Sequence, residues 1–165
     1  MPGAFIRTPL PSAAACPKSS GVKATDLALN QLLGIVAAPV GADHLLEMPF
    51  TPRLLNHLGT MHAAAQFALA EAASAECLQR HFGASAGAVF AVVRGVEVKY
   101  RKPATAELLA FGTPDENTRA QLITELTTRG RFSAVILIDL KDRSGTLTLH
   151  AKFDWFLSRL PPSAT

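Results

Sequence analysis

The chain has 165 residues, of which 48% are hydrophobic and 18% charged, and its formal net charge is +3 at pH 7. This length and composition predict a single domain with an ample core, part of whose apolar surface can be buried in an oligomer. No basic run exceeds two residues, and no apolar stretch approaches the ~18 residues that a membrane span needs. We therefore expect neither a nucleic-acid partner nor a membrane segment, whereas the positive charge favours an acidic partner such as a phosphorylated ligand.

The cysteine and histidine positions favour a protein without disulfides, metals or cofactors. Cys16 and Cys77 form no disulfide framework, and neither they nor the histidines have the spacing of metal ligands. The N-terminus lacks the pattern of a signal peptide. Free thiols indicate a reducing compartment, so we expect a cytoplasmic protein. We also expect no metal site and no cofactor.

The first segments in chain order are a loose arm, a short helix and a strand. Residues 1–24 are rich in Pro, Ser, Ala and Gly and predict a flexible N-terminal arm, which leaves 25–160 as a single domain. Asp26 is predicted to cap a short amphipathic helix that ends near Gly34. A strand is expected from His44 to Phe50.

A long apolar helix is predicted from about Thr60 to His81, with Gly83 as its stop. Because nearly every position is apolar on all faces, other elements must wrap this helix. Glu71 is an exception, because no basic residue lies within one turn of it, whereas Glu76 has Arg80 as an exposed i,i+4 partner. Apolar surroundings raise the pKa of an isolated carboxyl, which is the environment that a general base requires. The alternative is that Glu71 lies at a subunit seam and is satisfied by a partner chain.

After this helix the hydrophobic period changes from 3.6 to 2, which predicts strands. A second helix is expected over 114–130, and the strands are expected over 96–100, 107–111, 134–140 and 147–155. The resulting architecture is an α+β fold in which an antiparallel sheet of four to six strands is wrapped around one long apolar helix. The exposed edges of such a sheet favour pairing in a dimer.

Five residues around the start of the long helix carry a family resemblance: Asn56, Gly59, Thr60, His62 and Glu71. The hotdog-fold acyl-CoA thioesterases have an Asn, then Gly-Thr-x-His-Gly-Gly, then an Asp or Glu nine residues after the His, and these residues fall at the same spacings. Downstream, residues 96–104 resemble the family's strand that ends in a Tyr-x-x-Pro-Ala turn. The chain is similar to a poorly characterised branch with His-Ala-Ala-Ala. The resemblance implies the hotdog fold and hydrolysis of an acyl-CoA or acyl-carrier thioester without a cofactor.

The resemblance also implies roles for the motif residues. Glu71 would activate a water or attack the thioester directly, and Asn56 would orient the substrate. The backbone of His62 and Ala63, at the positive end of the helix, would polarise the thioester carbonyl. Gly59 and Thr60 would belong to the substrate-binding loop.

Three further side chains have two interpretations each. The His62 ring can serve as a catalytic base, but fixing the loop that enters the helix is the favoured interpretation. Arg101 and Lys102 are candidates for binding the phosphates of CoA, and a solvated strand end explains them equally well.

Two departures from the family pattern affect these roles. Ala63 and Ala64 replace the paired glycines; alanine also supplies a backbone N–H but does not tolerate a positive φ. Val93 stands near the place where members with an aspartate carry a serine that holds the attacking water. Water positioning is therefore expected to differ from theirs or to be absent.

Helix geometry adds a requirement for a second subunit. Nine residues correspond to about 13.5 Å of rise and about 900° of rotation, so Glu71 lies half a turn away from His62. The two cannot meet within one chain, and a homodimer, alone or as a dimer of dimers, would supply the other half. Two alternatives to a thioesterase remain open: a non-catalytic module that binds acyl-CoA, and a hotdog hydratase or dehydratase.

Overall fold

The computed structural model describes residues 22–86 and 89–159. Most of the arm predicted for 1–24 lies outside these residues; of its last three residues, Ala24 is buried and begins a short 3-10 helix. The single domain predicted for 25–160 stays a prediction.

Three α-helices and six strands lie within these described ranges. The helices are α1 (Ala28–Leu33), α2 (Ala63–Ala86) and α3 (Glu116–Arg129). The strands are β1 (Val36–Ala37), β2 (Leu46–Met48), β3 (Val89–Tyr100), β4 (Leu108–Pro114), β5 (Arg131–Lys141) and β6 (Leu147–Arg159).

The six strands form one antiparallel sheet in the order β1-β2-β4-β5-β6-β3. α2 packs against β4 and β5 in the middle of this sheet. Along β5 and β6 buried residues alternate with half-buried ones, as expected for a sheet that covers a core with one face. The predicted α+β architecture, with an antiparallel sheet around one long apolar helix, is confirmed.

The sheet approaches α2 closely at Gly112 of β4. A Cβ atom on this glycine would lie 2.7 Å from Leu45 Cδ1, 2.9 Å from Ile138 Cδ1 and 3.1 Å from Cys77 Cβ. Contacts this short require the buried Leu45 and Ile138 side chains to shift, so any larger residue at this position would displace core atoms between the strand and the helix.

The substitution Gly112→Ala is expected to lower the free energy of unfolding by about 1–3 kcal/mol, because it overpacks the core. Urea denaturation of both proteins measures the difference. Gly95→Ala is the matched control, because its new methyl group would meet the Asp154 carboxylate, whose nearest oxygen lies 3.2 Å away and can rotate aside. Both changes restrict the unfolded chain equally. A Gly112→Ala protein as stable as this control would contradict the close approach.

Two predicted helix boundaries are wrong. Asp26 does not cap α1, because it ends the preceding 3-10 helix and Leu27 occupies the cap position in an extended conformation. Gly83 does not end α2, which continues to Ala86 with the Gln79 side chain lying over the glycine. The predicted end of α1 is confirmed, because Gly34 adopts the left-handed conformation with φ of 74°.

Strand β3 is one edge of the sheet and is longer than predicted. It begins at Val89 rather than at Val96 and has 12 residues. Within the described chain it pairs with β6, and a bulge lies between Val93 and Gly95. Its outer edge therefore presents a long row of backbone donors and acceptors to another strand.

Candidate functional site

The loop that leads into α2 is held by Asn56. Its Oδ1 atom accepts hydrogen bonds from the backbone N–H of Leu58 at 2.9 Å and of Thr60 at 3.3 Å, and its Nδ2 atom donates to Thr60 Oγ1 at 3.0 Å. Gly59 completes the turn with φ of 73°. Asn56 thus sets the loop conformation with the same amide group that was predicted to orient a substrate, and one Nδ2 hydrogen remains for a ligand.

His62 caps the start of α2. Its ring Nδ1 accepts from the N–H of Ala64 at 3.0 Å, and its own backbone N–H donates to the Leu54 carbonyl at 2.7 Å. This geometry supports the interpretation that the ring fixes the entry loop. Of the His62 and Ala63 backbone groups predicted to polarise a thioester carbonyl, the His62 N–H already has an acceptor within the chain.

The N–H of Ala63 remains as a donor at the helix start. The Ala65 and Gln66 N–H groups both donate to the His62 carbonyl, at 3.0 and 3.1 Å. Within residues 22–86 and 89–159 no acceptor contacts the Ala63 N–H. All non-glycine residues described have negative φ, so alanine meets no strain in the place of glycine.

A cavity of about 310 Å³, which we call the helix-entry cavity, opens at this point. Its lining residues are Asn56, Thr60, Met61, Ala63, Gln66, Tyr100, Arg101, Lys102 and Pro103. The structure thus brings together five predicted site residues from the α2 entry loop and from the end of β3. The exposed residues Gly59 and His62 do not belong to the lining.

Gln66 and Tyr100 are contributors to this cavity that the sequence analysis did not assign to a site. The Tyr100 hydroxyl donates to the Ala63 carbonyl at 3.1 Å, which ties the end of β3 to the helix start. Partial burial raises the pKa of the Tyr100 hydroxyl. Gln66 is buried and donates from Nε2 to the Met61 carbonyl at 3.2 Å, whereas its Oε1 has no partner within the described residues.

Arg101 and Lys102, the two cations predicted to bind phosphate, are not engaged by acidic residues of the described chain. Arg101 and Lys102 are both exposed, and neither forms an ion pair with another residue that the structure describes. The Arg101 backbone N–H donates to the Thr148 carbonyl at 2.8 Å, so the backbone is anchored to the sheet while the side chains are free.

Glu71 lines a different cavity, of about 340 Å³, which we call the Glu71 cavity. The other lining residues are Val22, Ala24, Leu27, Ala75, Glu76, Leu78, Gln79, Phe82, Gly83, Val89, Ala91, Trp155 and Leu157. Glu71 is half-buried, and its carboxylate has no hydrogen bond or ion pair within the described chain. Desolvation by these mostly apolar walls raises the pKa of the Glu71 carboxyl.

Glu71 belongs to a stripe of α2 that the sheet leaves partly open. Phe67, Ala68, Glu71 and Ala75 are half-buried and recur with the spacing of a single helix face, whereas most of the intervening residues are buried. Glu76 differs from Glu71 because its Oε1 accepts from Arg80 Nε at 2.8 Å, as predicted.

A hydrogen-bonded chain joins Glu71 to the far wall of its cavity. The Trp155 indole N–H donates to Ser74 Oγ at 3.1 Å, and Ser74 Oγ donates to the Glu71 carbonyl at 2.7 Å. Both side chains are buried. The backbone at Glu71 and the aromatic wall on β6 are therefore held in a fixed relation.

Comparison with protein families matches residues 41–157 to a family described as Domain of unknown function (DUF4442). The chain belongs to this family. Among curated proteins, none is similar enough to match.

Solved structures share the fold of this family member. A Pseudomonas aeruginosa protein of unknown function, described as a probable thioesterase, is 24% identical with a TM-score of 0.70, over 91% of this chain and 97% of that one. A Haemophilus influenzae thioesterase is 20% identical with a TM-score of 0.57, over 83% and 92%. A Bacillus halodurans protein whose structure contains CoA is 18% identical with a TM-score of 0.60, over 78% and 74%. The predicted hotdog fold is confirmed.

The two cavities of the hotdog chain share no lining residue. The predicted site is therefore divided within one chain: Asn56, Thr60 and Ala63 lie at one cavity and Glu71 at the other. Within the described ranges no three His, Cys, Asp or Glu side chains are grouped as metal ligands. None of the helices described is long and apolar enough to cross a membrane.

The raised pKa of Glu71 predicts a pH-dependent effect on stability. The folded chain keeps this proton at pH values where an unfolded glutamate, with a pKa of about 4.3, has lost it. The contribution of Glu71 to the free energy of unfolding therefore falls as the pH rises through the raised pKa. We expect Glu71→Gln to be more stable than the wild type at pH 7, with the difference vanishing as the pH falls toward 4.

Chemical denaturation at several pH values measures this difference. Glu76→Gln is the control, because it removes a carboxylate that already has the Arg80 partner and should bring no gain in stability at pH 7. A stability difference between Glu71→Gln and wild type that does not change with pH would contradict the desolvation of Glu71.

Proposed function

We propose that this hotdog protein is an acyl-CoA thioesterase that acts as a homodimer, with Glu71 as the base or nucleophile. The observation that carries the proposal is the half-buried, unpartnered Glu71 carboxylate, whose pKa is raised by burial in an apolar cavity. Such a carboxyl takes up a proton closer to neutral pH than an exposed glutamate does. The thioesterases among the solved structures with this fold support the choice of reaction.

The proposed dimer pairs the outer edges of two β3 strands. The helix-entry cavity lies beside Tyr100 at the end of β3, and the Glu71 cavity lies beside Val89 at its start. Antiparallel pairing brings the end of one strand to the start of the other. Each Glu71 would then face the partner's Ala63. The half-turn that separates Glu71 from the start of its own helix would no longer keep the two groups of a site apart. A dimer of dimers would preserve the same two composite sites.

The proposed reaction uses the two halves together. The thioester carbonyl oxygen accepts a hydrogen bond from the partner's Ala63, whose N–H lies at the positive end of α2. Glu71 takes a proton from water as the water oxygen bonds to the carbonyl carbon. The carbon–sulfur bond then breaks, and the leaving thiolate takes the proton from Glu71, giving a carboxylic acid and a thiol. In the alternative route, the Glu71 carboxylate attacks the carbonyl carbon and displaces the thiolate, which gives a mixed anhydride. Water then hydrolyses the anhydride, which releases the carboxylic acid and restores Glu71.

The carrier of the acyl group is proposed to be CoA or a phosphopantetheine-bearing acyl carrier. Arg101 and Lys102 flank the helix-entry cavity as exposed cations without ion-pair partners in the described chain, and both residue types bind phosphate. The Bacillus halodurans structure with CoA shows that a protein of this fold holds the nucleotide. A cytoplasmic location, where acyl-CoA is available, is part of the proposal.

The test is thiol release from purified protein with acyl-CoAs of short, medium, long and aromatic acyl groups. Turnover of at least one of them, with the protein dimeric by light scattering, would support the proposal. Retained binding of acyl-CoA without thiol release from any substrate would overturn it and leave the non-catalytic binding module. Hydration of an enoyl-CoA without thiol release would favour the hydratase instead.

A further inference from the structure

We propose that the Glu71 cavity takes an unbranched aliphatic acyl group of medium length, roughly eight to twelve carbons, and that Ala75 and Ala91 set its width. This inference rests on the proposed function and names the substrate class for the same site.

The length follows from the extent of the cavity along α2. Its lining includes Glu71 and also Gly83, twelve positions later in the helix. At 1.5 Å per residue this corresponds to about 18 Å of cavity wall. An extended alkyl chain advances about 1.2 Å per bond, so about 18 Å sets an upper limit of about 15 carbons beyond a thioester placed at Glu71, and a chain of eight to twelve carbons fits within it.

The chemical class follows from the walls. Leu78 and Phe82 of α2 face Val89 and Leu157 of the sheet, and no Lys or Arg of the described residues lines the cavity. The Glu76 carboxylate is neutralised by Arg80 at 2.8 Å. An acyl group with a terminal carboxylate would lose its hydration without gaining a cation, whereas each methylene of an aliphatic chain gains by leaving water.

Small side chains on the helix wall and on the strand wall leave the width that an acyl chain needs. Ala75 lies on the helix wall and Ala91 on the β3 wall, and both are half-buried. A leucine at either position would occupy the space that an acyl chain needs. Ala68 is the matched control, because it is a half-buried alanine on the same stripe of α2 that does not line the cavity.

Trp155 supplies a direct readout of occupancy. It is the only tryptophan of the chain and lines the cavity. Its indole N–H is bonded to Ser74 Oγ at 3.1 Å, so the ring is held in the wall. An acyl chain that displaces water from this wall would change the tryptophan emission.

The experiment titrates the Glu71→Gln protein with decanoyl-CoA, acetyl-CoA, succinyl-CoA and free CoA and follows Trp155 fluorescence. We expect saturable binding of decanoyl-CoA, with a Kd at least tenfold below those of the other three. In the same background Ala75→Leu and Ala91→Leu should each raise the Kd for decanoyl-CoA at least tenfold, and Ala68→Leu less than threefold. Because Ala75 lies on α2 and Ala91 on β3, misfolding of one leucine variant would leave the other to test the proposal.

Equal affinity for acetyl-CoA and decanoyl-CoA, tighter binding of succinyl-CoA, or no tryptophan response to decanoyl-CoA would overturn the proposal. Unchanged Kd values in both leucine variants would overturn it as well. Because the measurement uses binding alone, it is independent of turnover. Absence of thiol release from the wild-type protein would therefore count against the thioesterase reaction and leave the acyl cavity standing.

Discussion

The substitution Glu71→Gln is expected to lower kcat/KM for acyl-CoA hydrolysis at least 100-fold. General base catalysis contributes typically about 10²–10⁴-fold, and a nucleophilic role would make the loss larger. Glutamine preserves the size of the side chain but can neither take a proton from water nor form an anhydride. The loss is measured as thiol release from the best acyl-CoA of the panel, with the oligomeric state checked in parallel.

Glu76→Gln is the matched control for this experiment. Glu76 is on the same helix and lines the same cavity, but its carboxylate is engaged by Arg80. We expect its kcat/KM to stay within about threefold of wild type, since an exposed ion pair contributes little. Equal losses in both variants would indicate that charge in the cavity, rather than proton transfer by Glu71, supports the reaction. A fully active Glu71→Gln protein would rule out the proposed mechanism.

The pH profile adds an independent test of the same residue. Because burial raises the pKa of Glu71, the acidic limb of kcat/KM should lie above the ordinary range of glutamate. Activity is expected to rise with pH through that limb, since only the ionised carboxylate takes a proton.

The substitution Ala63→Pro is expected to lower kcat about 10²–10³-fold, because it removes the N–H proposed to bind the oxyanion. Proline is tolerated at the first position of a helix, where the N–H has no acceptor within the helix, so the fold should persist. Ala63→Gly retains the N–H and restores the residue found in the family pattern. Its kcat is expected to remain within a few-fold of wild type.

Mixing the two defective proteins tests the shared site. In a heterodimer of Ala63→Pro and Glu71→Gln, one composite site carries both defects and the other carries neither. Coexpression with different affinity tags should therefore recover up to half of the wild-type activity per dimer. A site contained within one chain would remain inactive in the heterodimer, and such a result would contradict pairing through β3.

Much of the fold was predictable because its signals are local. The apolar sequence of α2 and the alternation along β6 report burial directly. The boundaries at Asp26 and Gly83 were not predictable from residue type, because Asp26 ends a 3-10 helix instead of capping α1, and α2 continues past Gly83 beneath the Gln79 side chain. The extension of β3 to Val89 depends on pairing with Arg159, seventy positions away, which no local pattern reports.

In the candidate site, too, the features that depend on local sequence could be predicted and those that depend on distant residues could not. The isolation of Glu71 could be inferred because no basic residue lies within one helical turn. The engagement of the His62 N–H could not, since its acceptor is the carbonyl of Leu54 in the entry loop. The contact of Tyr100 with the Ala63 carbonyl spans 37 positions and needs the folded sheet.

The position of β3 in the sheet also bears on how the new chain folds. Its described sheet neighbour is β6, whose register joins Tyr100 to Leu149 and Val89 to Arg159, so both edges of β3 stay open until the last strand has been synthesised. Arg94, Glu97 and Lys99 interrupt the apolar sequence of the strand, and such charges limit aggregation through an open edge. The many alanines of α2 favour the helix locally, so this element can begin to form before the sheet is complete. Early helix formation followed by slow closure of the sheet is therefore expected.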